Sequence, residues 1–431
     1  MRVLALSNLY PPDVIGGYEL CCRQVVDGLL QRGHDVRVLT SAPRAPCPGE
    51  PHVARSFKLT NCYDASFILR SNATVRAMWE AESNLVNAFN VHALTSALAH
   101  FEPQVVYLWN LVGLGGLGLV GCLRHIGMPW VWYLGDCVPR MLCSPGKELL
   151  PVIAAEFSRQ VSGHYMPVSQ RVVEEIEDAG VRLNGDVEIM PNWVLGPRPE
   201  ERQRFYRPGD TLRIVSAGQI ARHKGIDLLI GAARLLRDRG YENFTIDLYG
   251  KAWDPKVIPL ARQEGVGDRV TFKGSCPQDE LLARYARHEY DLFAFPTWER
   301  EPFGCAPLEA GAYGCVMAMS QSCGIGEWFV DGVHCLKVER SARGLADVFQ
   351  AVLDGQIDLG PLARRAGAVI WRDFHLDALL PRIEEVLSKA SRSPTGGGGT
   401  FDEAYHLALL AERLAQVSLQ ERALASWSSA A

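Results

Sequence analysis

The strongest constraint on how this 431-residue chain folds is an alternation of short apolar runs with helical patterns that proceeds once, breaks at a polar stretch, and starts again. Residues 3–6, 36–40, 105–109 and 131–134 are short, mostly apolar segments. Parallel strands covered on both faces read this way, whereas strands with one wet face alternate apolar with polar. Residues 20–31 and 94–100 carry helical periodicity between them. After Pro191-Asn192-Trp193 comes GPRPEERQRFYRPGD, and the alternation then resumes. Strands are expected at 212–217, 245–249, 269–272 and 292–295, and helices at 225–239 and 279–287. The pattern predicts an α/β chain of two doubly wound, Rossmann-like domains facing a cleft. Residues 1–195 form the first, 196–210 a hinge and 211–371 the second. A helix over 372–390 closes the unit, SRSPTGGGGT at 391–400 has linker composition, and 401–431 reads as a helical tail with an amphipathic helix over 401–427.

Hydrophobic residues make up 48% of the chain, ample for two cores, and the net charge of −5 offers no basic surface for nucleic acid or an anionic membrane. Twelve cysteines occur without a C-x-x-C pair, which fits reduced, mostly buried thiols. The chain opens on a strand-like segment with no signal peptide in front, so a cytoplasmic location is expected. Residues 105–123 are uncharged and approach the ~20 residues that span a bilayer. Asn110 and five glycines interrupt them, so they read as a strand, a loop and a tightly packed helix. No transmembrane segment is expected; peripheral membrane contact stays open, as does docking or self-association through the tail helix.

Chemistry concentrates in EPFGCAPLE, where Glu301 and Glu309 flank a Pro-Phe-Gly turn that opens an apolar helix. The first amides of a helix lack intrahelical partners and carry partial positive charge, so a loop feeding a helix here suits a diphosphate. Glu309 then suits a sugar diol, whose hydroxyls would donate to it. In GQIARHKG, residues 218–225, Arg222 and Lys224 follow a strand at the edge where doubly wound sheets bind ligands; Lys224 reads as a phosphate-binding charge and His223 as a bystander. In SNLYPPDVIGGYE, residues 7–19, Gly16 and Gly17 precede a helix and allow close backbone approach to a ligand. Gly113, Gly115 and Gly118 spell G-x-G-x-x-G ahead of Asp136, the outline of a dinucleotide fingerprint, but Asn110-Leu111-Val112 separate the first glycine from the strand. That keeps an NAD-dependent sugar-nucleotide oxidoreductase as an alternative. Trp298, Glu299 and Arg300 read as a solvated rim, and Trp130 and Trp132 as core.

Taken together, EPFGCAPLEAGAYG, GQIARHKGIDLLIGAARLL, LLQRGHDVRVLT, YPPDVIGGYE, VSQRVVEEI and IMPNWV, collinear over residues 1 to about 388, resemble the retaining GT-B glycosyltransferases of the group 1, or family 4, type. The resemblance implies a nucleotide-sugar donor, UDP- or GDP-linked, held by the second domain, an acceptor held by the first, and no cofactor. It places Glu301 on hydroxyls of the transferred sugar and Glu309 on the ribose. The amides of Phe303, Gly304 and Cys305 would cover sugar and phosphate, and Lys224 and Arg222 would neutralise the leaving diphosphate. Gly16-Gly17 would approach the phosphate, Gly274-Ser275 would lie near the base, and Asn110 and Asp136 would serve the acceptor side. It also implies a front-face displacement in which the leaving phosphate helps take the acceptor proton, so no protein nucleophile is nominated. No metal is expected, since the chain contains no Asp-x-Asp pair.

Two positions depart from that pattern. Gln219 stands where many relatives carry arginine, leaving Arg222 as a substitute charge, and Gly135 precedes Asp136 where many have histidine. A catalytically silent GT-B binding subunit, docking through the tail helix, is the other alternative.

Overall fold

The computed structural model describes residues 1–60, 73–144, 150–200, 202 and 204–393. The end of the expected linker and the whole expected tail, 394–431, lie outside the described residues. The chain divides into two compact units. The first is Met1–Val168, Val172–Met190 and the chain from Leu380; the second is Ser169–Arg171 and Pro191–Leu379.

Seven parallel strands form the sheet of the first unit: β1 (Arg2–Leu6), β2 (Asp35–Ser41), β3 (Val53–Phe57), β4 (Val105–Leu108), β5 (Trp130–Leu134), β6 (Ser162–Pro167) and β7 (Asn184–Val187). Their order is β3-β2-β1-β4-β5-β6-β7. The direction of winding reverses between β1 and β4, so the loops leaving these neighbours diverge and open a crevice at their carboxyl ends. Every residue of β4 and β5 is buried, as the continuous apolar runs require. Trp130 and Trp132 are core residues, and the Trp132 indole N–H donates to the Trp109 carbonyl at 2.9 Å. Residues 105–123 divide between β4, a loop and the Gly116–Ile126 helix, and among the described residues no helix is long and apolar enough to cross a membrane.

The second unit repeats the scheme with six parallel strands: β8 (Leu212–Ala217), β9 (Phe244–Tyr249), β10 (Val270–Gly274), β11 (Leu292–Phe295), β12 (Val316–Ser320) and β13 (Leu336–Val338). The order β10-β9-β8-β11-β12-β13 puts its switch point between β8 and β11. The apolar face of the Ile226–Asp238 helix, with Leu229, Ile230, Ala233 and Leu236, packs into the core that Ile214, Ile246 and Leu292 supply from the sheet. Within the stretch expected as a hinge, Arg202 is 6% exposed and donates to Asp291, which also takes the Arg213 guanidinium at 2.9 Å, so this part of the stretch is tied to the sheet of the second unit.

A last helix, Leu376–Arg392, returns to the first unit. Leu380 lies against Gly28, where a Cβ would meet Leu380 Cδ1 at 2.6 Å. One turn on, Glu384 accepts from Arg32 and pairs with His34, each at 2.7 Å.

Candidate active site

At the switch point of the second unit, the loop after β8 and the loop after β11 face each other because Gly225 lets them touch. Gly225 adopts φ +73°, and a Cβ there would stand 2.1 Å from the Pro296 carbonyl oxygen. Only glycine meets both requirements. The contact brings Lys224, on a short 3-10 turn over Arg222–Lys224, into an ion pair with Glu301 on the β11 loop. The oxygen that takes Lys224, Glu301 Oε2, also accepts from the Thr297 hydroxyl at 2.8 Å. Thr297 is fully buried, and its carbonyl accepts from Ser320 Oγ at 2.7 Å. Glu301 itself is 8% exposed, so its charge is matched by one cation and one hydroxyl in a partly dry setting.

The chain then turns at Gly304, φ +106°, into the Cys305–Ala312 helix. Phe303 is buried between Trp328 and Phe374, with ring centroids 5.4 and 6.5 Å away, and fixes the loop from behind. The helix starts four residues beyond Glu301, where its partial positive charge suits an anion. Glu309 projects from the same helix, and Gln278 Nε2 donates to Glu309 Oε1 at 2.6 Å. Burial pushes the Glu309 carboxyl up to about 7, the Gln278 hydrogen bond opposing the shift. Gly274, at φ +76°, and Ser275 form the exposed turn just before Gln278. Its neighbour loop is tied in by the Gly250 N–H, which donates to the Gly274 carbonyl at 2.8 Å.

Arg222 and Gln219 sit on the same β8 loop but stand apart from this pair. Arg222 is exposed and held by Asp227 at 3.3 Å and Asp254 at 3.7 Å. Gln219 Oε1 lies 3.0 Å from His223 Nε2. The His223 ring rests against Trp298, and burial, helped by Lys224, lowers its pKa, so it stays neutral at pH 7.

In the first unit, Gly16 and Gly17 open the Gly17–Gln31 helix with no atom within 4 Å of where a Cβ would stand. Glu19, 2% exposed, folds back so that Oε2 accepts from the N–H of Gly16 at 2.9 Å and of Ile15 at 3.2 Å. The Gly16 amide is thus already engaged, and what the loop offers a ligand is open space and the positive end of the helix. Asn110 lies at the switch point: its carbonyl accepts from the Asn8 N–H at 2.7 Å, and its Oδ1 from the Val112 N–H at 3.1 Å. Asp136 follows β5 and accepts from the Cys137 N–H at 2.7 Å. Gly135 is glycine for a packing reason. The Tyr18 ring covers it, so an added Cβ would stand 3.1 Å from Tyr18 Cε2 and Cζ, while the Gly135 N–H donates to the Tyr18 hydroxyl at 2.7 Å. Burial pushes the Tyr18 phenol well above its ordinary range, so it stays neutral.

The G-x-G-x-x-G turn is filled by protein. A Cβ at Gly115 would stand 2.1 Å from the Asn87 N, one at Gly113 2.8 Å from Leu59 Cδ1, and one at Gly118 3.1 Å from the Leu85 carbonyl oxygen. These glycines serve close packing of neighbouring segments, which leaves no cradle for a pyrophosphate.

Sequence reasoning missed Thr297, Ser320, Gln278, Tyr18 and Glu19. Only Glu19 left a local trace, as the acidic third residue of a helix start. Ser320, Gln278 and Tyr18 matter through partners far along the chain, and Thr297 through a turn that brings its hydroxyl onto Glu301 four residues on.

Residues 197–368 match the family model described as glycosyl transferases group 1, and residues 15–194 match glycosyltransferase family 4. Glycogen synthase of Mycobacterium tuberculosis is 24% identical over 426 residues, covering 91% of this chain and 95% of its own. The GDP-mannose-dependent alpha-(1-6)-phosphatidylinositol monomannoside mannosyltransferase of the same organism is 26% identical over 294 residues, covering 60% and 75%. Among solved structures, sucrose-phosphate synthase from Thermosynechococcus elongatus aligns with a TM-score of 0.68 at 18% identity over 90% of this chain and 98% of that one. Anabaena HepE in complex with UDP and glucose aligns with a TM-score of 0.61 at 18% identity over 90% and 99%. The structural likenesses bear on fold alone. With two parallel sheets, each reversing at its own switch point, and two family models that between them span most of its length, this chain belongs to the GT-B glycosyltransferases of the group 1 and family 4 type.

Proposed function

We propose that the protein moves a glycosyl unit from a nucleoside diphosphate sugar, UDP- or GDP-linked, to an acceptor hydroxyl, with retention at the anomeric carbon and without a metal ion. The observation that carries this reading is the Lys224–Glu301 pair over the switch point of the second sheet, beside a helix start and with Glu309 on the helix that follows. Cleaving a glycosyl–phosphate bond builds negative charge on the diphosphate and positive charge on the sugar ring. An ammonium drawn to the phosphate and a helix start aimed at it favour that transition state over the ground state. Lys224 and the turn at Phe303, Gly304 and Cys305 take the diphosphate in this reading, Glu301 accepts from the sugar hydroxyls, and Glu309 accepts from the ribose. Gly274 and Ser275 border the base. On the first unit, the reading assigns the Gly16-Gly17 loop to phosphate and Asn110 and Asp136 to the acceptor. Arg222, held by two aspartates, serves as an auxiliary charge for the leaving group.

The donor class is supported by a relative, the mannosyltransferase named for GDP-mannose. Retention follows the proposed front-face route, in which the departing phosphate oxygen receives the acceptor proton while the new bond forms on the face the leaving group vacates.

Thermal-shift measurements against UDP-, GDP-, ADP- and dTDP-sugars test the reading. A ligand that binds only the folded state at 100 times its Kd adds about 2.7 kcal/mol of stability. Glu301→Ala should retain nucleotide binding and lose donor turnover. Stabilisation by none of the four classes would overturn the proposal.

A further inference from the structure

The ligand-free site holds Lys224 and Glu301 against each other, yet the proposed reaction needs Lys224 on the donor's diphosphate. A diphosphate carries more charge than one carboxylate and draws the ammonium toward it. Glu301 would then stand at 8% exposure without its cation. A buried carboxylate in that position either moves toward water or leans on whatever hydrogen bond remains. The bond that remains is from Thr297.

We infer that Thr297 is the positioning residue that holds Glu301 in register for the donor sugar once Lys224 has moved to the phosphate, an inference that rests on the function proposed above. Three observations carry it. The Thr297 hydroxyl and Lys224 converge on the same carboxylate oxygen, so the hydroxyl keeps its place when the ammonium leaves. Thr297 is fully buried and its carbonyl is anchored by Ser320, 1% exposed at the end of β12, so neither its backbone nor its side chain drifts with the loop. Glu301 and Thr297 are also joined through a tight turn, the Glu301 N–H donating to the Trp298 carbonyl at 3.3 Å. The hydroxyl therefore sets where the carboxylate stands without touching substrate.

The experiment compares full-length wild type with Thr297→Val and Thr297→Ser, using whichever of UDP-glucose and GDP-mannose the wild type hydrolyses in the absence of acceptor. UDP or GDP alone, bound by calorimetry, reports the nucleotide part of the site, and donor hydrolysis reports the sugar part. Thr297→Val should lower kcat for hydrolysis ten- to a hundredfold while the nucleoside diphosphate Kd stays within twofold of wild type, and Thr297→Ser should restore most of the rate. Equal kcat in wild type and Thr297→Val would overturn the inference and leave the proposed function standing. Parallel losses of kcat and nucleotide affinity in Thr297→Val, without rescue by serine, would assign Thr297 to packing and overturn it as well. A wild type that binds neither nucleotide would remove the proposed function and this inference with it.

Discussion

Glu309 offers a pH-dependent test of the proposed donor site. Its carboxyl is pushed by burial from an ordinary 4.5 to about 7, so in the ligand-free protein the site holds on to a proton that the unfolded chain releases. The group's folded pKa lies above its unfolded one, so the stability it permits is complete below about 4.5. Stability is lost as pH rises toward about 7 and changes no further above that. One pKa unit corresponds to 1.36 kcal/mol, which makes the whole loss about 3 kcal/mol at most, reduced wherever water reaches the carboxylate. Glu309→Gln keeps the size and can still pair with Gln278, yet has no proton to lose. Denaturant unfolding at pH 5, 7 and 8.5 should therefore show wild type falling relative to Glu309→Gln between the first two values and running parallel to it between the last two. Donor binding should run the other way. If ribose hydroxyls donate to the charged carboxylate, UDP or GDP binding to wild type should tighten with pH up to about 7, by at most tenfold per unit, beyond any trend seen in Glu309→Gln. A constant difference in stability between the two proteins from pH 5 to 8.5 would refute the burial argument. Parallel affinity profiles would refute the ribose contact.

Three other substitutions probe the packing that shapes the site. Gly115→Val forces a left-handed residue against the Asn87 amide and should cost about 3 kcal/mol in urea unfolding, from overpacking and backbone strain together. NADH fluorescence should not change on mixing with either protein. Gly135→His meets the Tyr18 ring and should cost about 1–3 kcal/mol, and a double-mutant cycle with Tyr18→Ala should show coupling of about 1 kcal/mol or more. Arg202→Met removes one of two guanidiniums from a buried Asp291, and unfolding should register about 2 kcal/mol, less than a lone buried pair would lose because Arg213 stays.

The strands at 212–217 and 292–295 were legible in full, because a strand covered on both faces writes its burial into consecutive residues. β7 was not, since Asn184–Val187 is exposed throughout and has a single apolar residue, and only pairing with β6 makes it a strand. β6 is buried from Gly163 onward but carries Ser162, Gly163, His164 and Pro167 among its six residues, so its burial is not written as an apolar run. Glu301, Glu309 and Lys224 stood out as candidates from local context. Their mutual arrangement was not: the chain could not announce that Lys224 pairs with Glu301, or that Gln278 reaches Glu309.

Unaided, the chain determined its class of fold, the doubling of the architecture and the stretches where charge gathers beside glycine, because periodicity and backbone freedom are properties of neighbouring residues. Tertiary structure alone decided which of those charges meet. It settled that Gly225 joins two strand-end loops while Gly115 merely makes room for Asn87, that Gly135 yields to Tyr18, and that Thr297 stands behind Glu301. A hydrogen bond or a steric contact acts over about 3 Å of space, and that separation bears no fixed relation to distance along the chain.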